Sequence, residues 1–259
     1  MSLNCVLIGA GNLATHLGQE LHKNGFRILQ VYSRTENSAQ TLAGKINSDF
    51  VTNPKQIVEN ADIYFIALKD FVVGNILPQI NFRNNFIVHC SGSLPLSALE
   101  KYSENTGVLY PLQTFTRGRD VTFSKIPVFI EANSKKNLAV IRKIASELSG
   151  TVKVMDSEKR KVLHVAAVFA CNFVNHLYTV SGKLLDKHGL EFEVLKPLIK
   201  ETTGKIMDIP PFEAQTGPAV RFDKMIIEKH LEVLSDDEEL AGLYKMISKS
   251  IFDFCKNQG

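Results

Sequence analysis

Cysteine is scarce in this sequence, and its few copies form no pattern. Cys5, Cys90, Cys171 and Cys255 are far apart, and no Cys-x-x-Cys pair occurs. This spacing excludes a disulfide framework and a thiolate zinc site, so we expect buried thiols, a reducing compartment and no metal ion.

An excess of charge of one sign is also lacking, and so is an uninterrupted membrane-spanning segment. The net charge of +3 is small for 259 residues, and no basic cluster indicates a nucleic-acid partner. No charged leader region precedes the first apolar run, so no signal peptide is expected. The longest apolar stretch, 165–180, is interrupted by Asn172, Asn175 and His176. It predicts a buried helix of a soluble, cytoplasmic protein rather than a membrane span.

Two hydrophobic periodicities divide the chain. Over the first 155 residues, short apolar runs alternate with helical patterns, which is typical of an α/β fold with a doubly wound, mostly parallel sheet. The predicted strands are 4–8, 27–32, 63–68, 86–90, 107–109, 128–131 and 152–155. Beyond Asp156 only helical patterns remain, beginning with one long helix over 157–188. We therefore predict two domains, a nucleotide-binding Rossmann domain over 1–153 and an all-helical domain over 154–259.

A glycine-rich turn follows the first predicted strand. Residues 9–14 (GAGNLA) match Gly-x-Gly-x-x-Ala between a strand and an amphipathic helix. Gly9 allows the tight turn, Gly11 lets the backbone approach a pyrophosphate, and Ala14 allows close packing of helix on strand. The helix N-terminus offers N–H groups to an anion. The predicted dinucleotide contacts in this turn are Gly9, Ala10, Gly11, Asn12 and Leu13.

The end of the second predicted strand distinguishes NADP from NAD. Proteins that bind NAD usually carry an Asp or Glu there for the ribose hydroxyls, whereas this sequence has Ser33, Arg34 and Thr35. A guanidinium between two hydroxyls suits a 2′-phosphate, although a solvated loop arginine would give the same pattern. Glu36 does not fit this interpretation. We predict NADP as the cofactor.

Several segments of the sequence carry a family resemblance. They are 9–14 with 33–35, 67–70 (ALKD), 89–93 (HCSGS), 164–178 (HVAAVFACNFVNHLY) and 216–221 (TGPAVR). Together they resemble a bacterial Rossmann-like NADP-binding family with a C-terminal all-helical domain of uncharacterised function. The resemblance implies that Ala67, Leu68 and Lys69 also contact the cofactor. Tyr110 and Phe222 depart from the family pattern, which has His and Gly at these places, and the first departure argues against proton transfer there.

More distantly, the layout is similar to pyrroline-5-carboxylate reductase, ketopantoate reductase and the β-hydroxyacid dehydrogenases. This similarity implies a substrate cleft between the two domains and a homodimer built through the helical half. The β-hydroxyacid enzymes use a Lys and an Asn one turn apart on the long helix. Asn172 is present here, but Val168 stands four residues before it, so that catalytic pair is absent.

Three side chains are candidates for the chemistry of hydride transfer, which needs a carbonyl or imine beside the nicotinamide and a group that handles a proton. His164 lies on the apolar long helix in a stripe that includes Val168, with Asn172 beside it. A core network or a dimer interface would explain these polar residues as well. Ser91 follows a strand at the carboxyl edge of the sheet, where it either binds substrate or caps the next helix.

These patterns favour an NADP-dependent oxidoreductase that acts on a small carbonyl, imine or hydroxy acid. The alternative is a non-catalytic NADP(H)-binding sensor or scaffold, which the missing lysine and Tyr110 favour. The fold does not decide between them, because it hosts many chemistries.

Overall fold

The computed structural model describes residues 3–257, and its central feature is an eight-stranded sheet. The strands are β1 (Asn4–Ile8), β2 (Arg27–Tyr32), β3 (Asp49–Val51), β4 (Ile63–Ile66), β5 (Phe86–His89), β6 (Thr106–Pro111), β7 (Val128–Ala132) and β8 (Val152–Val154). Their order is β3-β2-β1-β4-β5-β6-β7-β8, and every neighbouring pair is parallel except β6 with β7. The predicted α/β fold with a mostly parallel sheet is confirmed.

Helices cover both faces of this sheet. They are α1 (Asn12–Lys23), α2 (Glu36–Ile46), α3 (Asp70–Ile76) and α4 (Lys135–Leu148). Leu17, Leu42 and Ile141 of α1, α2 and α4 belong to the apolar core on one face. Val73 of α3 belongs to the core on the other face. The strands are therefore buried on both sides, which is why they appear in the sequence as short continuous apolar runs.

Beyond β8, the regular elements of the described residues are all helical, as predicted. They include α5 (Ser157–Ala167), a π-helical turn (Val168–Phe173), α6 (Val174–Lys187), α7 (Lys196–Asp208), α8 (Lys224–Val233) and α9 (Glu238–Lys256). Asp156 caps α5 by accepting from the Lys159 N–H at 2.8 Å. Gly189, with a φ of +70°, follows the end of α6.

The π-helical turn changes the predicted arrangement of the long helix. The sequence pattern assumes 100° per residue throughout, but the i→i+5 bonding from Val168 to Phe173 adds a residue to that turn. The predicted stripe is therefore wrong beyond Val168. Asn172 lies inside this turn and is exposed.

The prediction that this helix is buried is also wrong. Ser157–Lys187 is long and apolar enough to cross a membrane by length and composition alone, and none of its most apolar window is buried. Val162 is 70% exposed and Phe169 is 64% exposed. Periodicity identifies the apolar face of a helix, but it does not show what covers that face.

Packing divides the chain into two compact units, Met1–His176 and Leu177–Gly259. The first unit contains the sheet together with α5 and the π-helical turn. The predicted boundary at residue 153 separates a cofactor-binding domain from a helical domain, and it stays a prediction.

Candidate functional site

The turn after β1 is shaped so that only glycine fits at its start. Gly9 has a φ of +120°, and its N–H donates to the Tyr32 carbonyl at 2.8 Å. A Cβ on Gly9 would overlap the carbonyl oxygen of Ala67. A Cβ built on Gly11 would meet nothing within 4 Å. Gly11 is the uncapped N-cap of α1, so open space and backbone N–H groups suited to a pyrophosphate lie together here.

A cavity of about 480 Å³ extends from this turn to the end of β2, within the size range of ligand pockets. It brings together most of the predicted cofactor residues: Gly9, Ala10, Gly11, Ser33, Arg34, Thr35, Ala67, Leu68 and Lys69. Asn12 and Leu13 are not on its wall. The Asn12 amide donates to the Phe115 carbonyl at 2.9 Å, and Leu13 packs against the apolar core.

The Arg34 guanidinium, at the end of β2, is available to a ligand. Among residues 3–257, no carboxylate forms an ion pair with Arg34. Glu36 lies in the first turn of α2, where the helix dipole favours a carboxylate. Thr35 is the N-cap of α2 and makes no side-chain capping bond. The discordant Glu36 therefore has a structural explanation that leaves Arg34 and Thr35 available to a phosphate.

Tyr110 and His164 form a hydrogen-bonded pair beside the segment that follows β5. The Tyr110 hydroxyl lies 3.0 Å from His164 Nδ1, and the two rings meet edge to face. A Cβ built on Gly92 would lie 2.6 Å from His164 Nδ1 and 2.9 Å from Tyr110 Cζ. The pair therefore packs directly on the backbone at Gly92. The departure at position 110 replaces the expected imidazole with a hydroxyl that reaches His164.

Burial holds two ionisable groups of this region, Tyr110 and His89, in their neutral forms. Burial raises the pKa of Tyr110 above its ordinary value, and the opposing effect of the Arg160 charge is smaller. Burial, assisted by the Arg160 charge, lowers the pKa of His89 to about 3. His89 is thus a neutral imidazole near pH 7, whose Nδ1 accepts from the Ser91 N–H at 3.2 Å.

A buried ion pair fixes the start of α5. The Arg160 side chain is 1% exposed and bonds to Glu131 on β7 and, at 2.6 Å, to the Leu94 carbonyl. Ser157 donates to Glu131 at 2.8 Å and accepts from the Leu96 N–H at 3.0 Å. These bonds tie α5 to β7 and to the segment after β5, so they hold His164 one turn later. The sequence shows Arg160 only as part of a short basic run.

Ser91 does not cap the next helix, which is one of its two predicted roles, and its binding to substrate stays a prediction. Its hydroxyl donates to Asp70 at 3.0 Å and accepts from the N–H groups of Ser93 and Leu94. Ser93 also donates to Asp70. The segment after Pro95 is a short 3-10 helix, Leu96–Leu99, without a side-chain cap. Ser91 therefore stabilises the turn before it instead of capping a helix, and its only hydroxyl proton is used on Asp70.

Of the described thiols, Cys171 is exposed, whereas Cys90 is not an activated nucleophile. Cys90 is buried, and burial raises the pKa of its thiol to about 12. No group of three His, Cys, Asp or Glu side chains within residues 3–257 converges as metal ligands would.

Two families match different parts of the chain. Residues 4–92 match the family described as NADP oxidoreductase, coenzyme F420-dependent, and residues 126–251 match a domain of unknown function, DUF2520. No curated protein matches.

Solved structures match nearly the whole chain. A protein of Bacteroides fragilis, provisionally described as an NADP oxidoreductase, is 45% identical with a TM-score of 0.94, over 97% of this chain and 98% of that one. A Thermotoga maritima protein is 23% identical with a TM-score of 0.71, over 98% and 99% of the two chains. An imine reductase from Myxococcus stipitatus, in complex with NADP⁺, is 13% identical with a TM-score of 0.68, over 98% and 93%.

The last two similarities concern the fold alone, whereas the first extends to sequence over the full length. The predicted resemblance is confirmed, and NADP is the cofactor it implies. The chain belongs to the family of NADP oxidoreductases in which an NADP-binding Rossmann domain is followed by a C-terminal DUF2520 domain.

Proposed function

We propose that this protein is an NADP-dependent reductase or dehydrogenase acting on a small carbonyl, imine or hydroxy acid. The observation that carries the proposal is the Tyr110–His164 pair. Tyr110 lies near the end of β6, which is parallel to β1, β4 and β5. The pair is therefore on the same edge of the sheet as the glycine turn, where ligands bind in open α/β folds.

In this proposal, the pair supplies the proton that accompanies the hydride. NADPH provides the hydride when it is bound. Because Tyr110 stays protonated near pH 7, its hydroxyl donates to His164 Nδ1, and the hydrogen on Nε2 is available to the substrate oxygen or nitrogen. As Nε2 releases its proton, Nδ1 takes the phenol proton, and the positive charge of Arg160 offsets part of the cost that burial places on the phenolate that remains.

Asn172 and Ser91 have supporting roles in this proposal. The exposed Asn172 amide offers two donors and an acceptor, and it lies in a π-helical turn, a feature frequent at functional sites. We assign it to orienting the substrate. Ser91 is engaged with Asp70, so of its possible roles we assign it to positioning Gly92 beside the pair rather than to contacting the substrate.

The proposal is tested by following NADPH absorbance with panels of keto acids, cyclic imines and aldehydes. We expect consumption of NADPH with at least one class and much slower consumption of NADH. The Asn172→Ala variant is the control for a contaminating enzyme, because it should bind NADPH normally but lose turnover. Tight NADPH binding without consumption on any panel would favour the alternative of an NADP(H) sensor or scaffold.

We further propose that a second copy of the chain covers the exposed face of the long helix, and that the protein is cytoplasmic. Val162, Val165, Phe169 and Phe173 are each 49% to 70% exposed. A contiguous apolar patch of this kind indicates an interface. The helix also carries Asn172 and other amide and imidazole groups, which a lipid environment disfavours.

Light scattering of the purified protein at micromolar concentration checks the dimer. We expect a mass of about 58 kDa, twice the 28.9 kDa of the chain. Phe169→Asp places a charge on the exposed face without disturbing a buried side chain, so it should shift the mass toward the monomer. A wild-type monomer, or a protein that dissolves only with detergent, would contradict the proposal.

A further inference from the structure

The segment between β6 and β7 is held against the first turns of α1. The Asn12 amide donates to the Phe115 carbonyl at 2.9 Å, and His16 Nε2 lies 3.1 Å from the Thr116 carbonyl. The His16 ring also stacks on the Phe115 ring, with centroids 5.1 Å apart. Two side chains of α1 thus fix the position of the residue that follows, Arg117.

Arg117 lies over the glycine turn. Its Nη2 donates to the Ala10 carbonyl at 2.8 Å. Arg117 lines the cofactor cavity together with Arg34 and Ser38. It also lines an adjoining cavity of about 140 Å³, whose wall includes Ser38 and Lys45 of α2. Because Arg117 and Ser38 line both cavities, the guanidinium stands where the β2–α2 segment meets α1. Rossmann folds bind the adenosine ribose near the end of this second strand.

The positive charge that Arg34 and Arg117 contribute to this part of the cavity suits a phosphate monoester. Such a group carries about −1.5 to −2 charges near pH 7, more than one guanidinium neutralises. Within residues 3–257, neither Arg34 nor Arg117 forms an ion pair with a carboxylate. An arginine has five N–H donors, and the bond to the Ala10 carbonyl uses only one N–H of Arg117. Both guanidinium groups therefore retain donors for an anion.

We propose that Arg117 is a second cationic ligand of the cofactor's 2′-phosphate, acting with Arg34 and the Ser38 hydroxyl. The proposal rests on the use of NADP(H) in the proposed function. It makes the β6–β7 segment a determinant of cofactor choice, alongside the end of β2. The bond to Ala10 orients the guanidinium in advance, so that little side-chain freedom is lost on binding.

Calorimetric titration of Arg117→Ala with fragments of the cofactor tests this assignment. Adenosine 2′-monophosphate carries the 2′-phosphate without the pyrophosphate, and adenosine 5′-diphosphate carries the pyrophosphate alone. We expect the variant to bind NADPH and adenosine 2′-monophosphate about 10- to 150-fold more weakly, as for loss of a charge-assisted bond. Binding of NADH and adenosine 5′-diphosphate should change less than about twofold.

Arg119→Ala is the matched control, since Arg119 is exposed on the same segment but lines only the smaller cavity. It should bind all four ligands like the wild type. Equal losses of NADPH and NADH would assign Arg117 to the pyrophosphate and overturn the proposal, and unchanged NADPH binding would also overturn it. These titrations need no turnover, so a wild type that binds NADPH without consuming it would refute the proposed reductase function and leave this result intact.

Discussion

Replacing Arg34 with alanine should weaken NADPH binding by about 10- to 150-fold and leave NADH binding nearly unchanged. A charge-assisted hydrogen bond contributes roughly 1.5–3 kcal/mol, which corresponds to that range of affinity. Only NADPH carries the 2′-phosphate, and Arg34 lines the cofactor cavity between two hydroxyl residues. Since Glu36 forms no ion pair with Arg34, it does not compete for the guanidinium.

Titration calorimetry of the wild type and the variant with both cofactors measures this effect. Arg27→Ala is a suitable control, because Arg27 is exposed at the opposite end of the same strand. It should leave both affinities unchanged. Equal wild-type affinity for NADPH and NADH would show that Arg34 is only a surface arginine.

The elements of the fold that the sequence predicts correctly are those formed by contiguous residues with a regular hydrophobic period. β1 and β2 have their predicted bounds, because each shows one clear period. β3 was not predicted, since Asp49–Val51 is too short to show a period. The helix expected after Ser91 is only the 3-10 helix Leu96–Leu99. Hydrogen bonds from Ser91 and Arg160 to the backbone of Leu94 fix the conformation just before this segment. No local sequence pattern predicts these bonds.

The residues of the candidate site also fall into those that the sequence predicts and those that it does not. The glycine turn and the end of β2 are contiguous segments with residue types dictated by their contacts, so sequence reasoning found them. Arg117 bonds to a residue 107 positions away, and Tyr110 to one 54 positions away. No spacing rule connects such pairs. The resemblance suggested that Tyr110 weakens proton transfer, and only the geometry shows that its hydroxyl reaches His164.

A large loss of turnover is expected from His164→Gln. Removing a positioned proton donor lowers kcat by about 10²- to 10⁴-fold, whereas NADPH affinity should change less than about twofold, because His164 is not on the wall of the cofactor cavity. Tyr110→Phe keeps the ring against Phe129 but removes the hydroxyl. It should give a smaller loss, because water can still deliver a proton to Nδ1 of the partly exposed His164 as Nε2 releases its own.

Single-turnover rates with NADPH, together with NADPH titrations, separate these effects from cofactor binding. His176→Gln is the matched control, since His176 is an exposed imidazole on α6 and has no place in the pair. Tyr110→His introduces the residue that the family pattern has at this position and should restore part of the Tyr110→Phe loss, because an imidazole can again donate to His164. If His164→Gln keeps wild-type turnover, or loses NADPH affinity as strongly as turnover, then His164 is not the proton donor. Thermal unfolding of each variant shows whether a loss comes from chemistry or from the packing of His164 on Gly92.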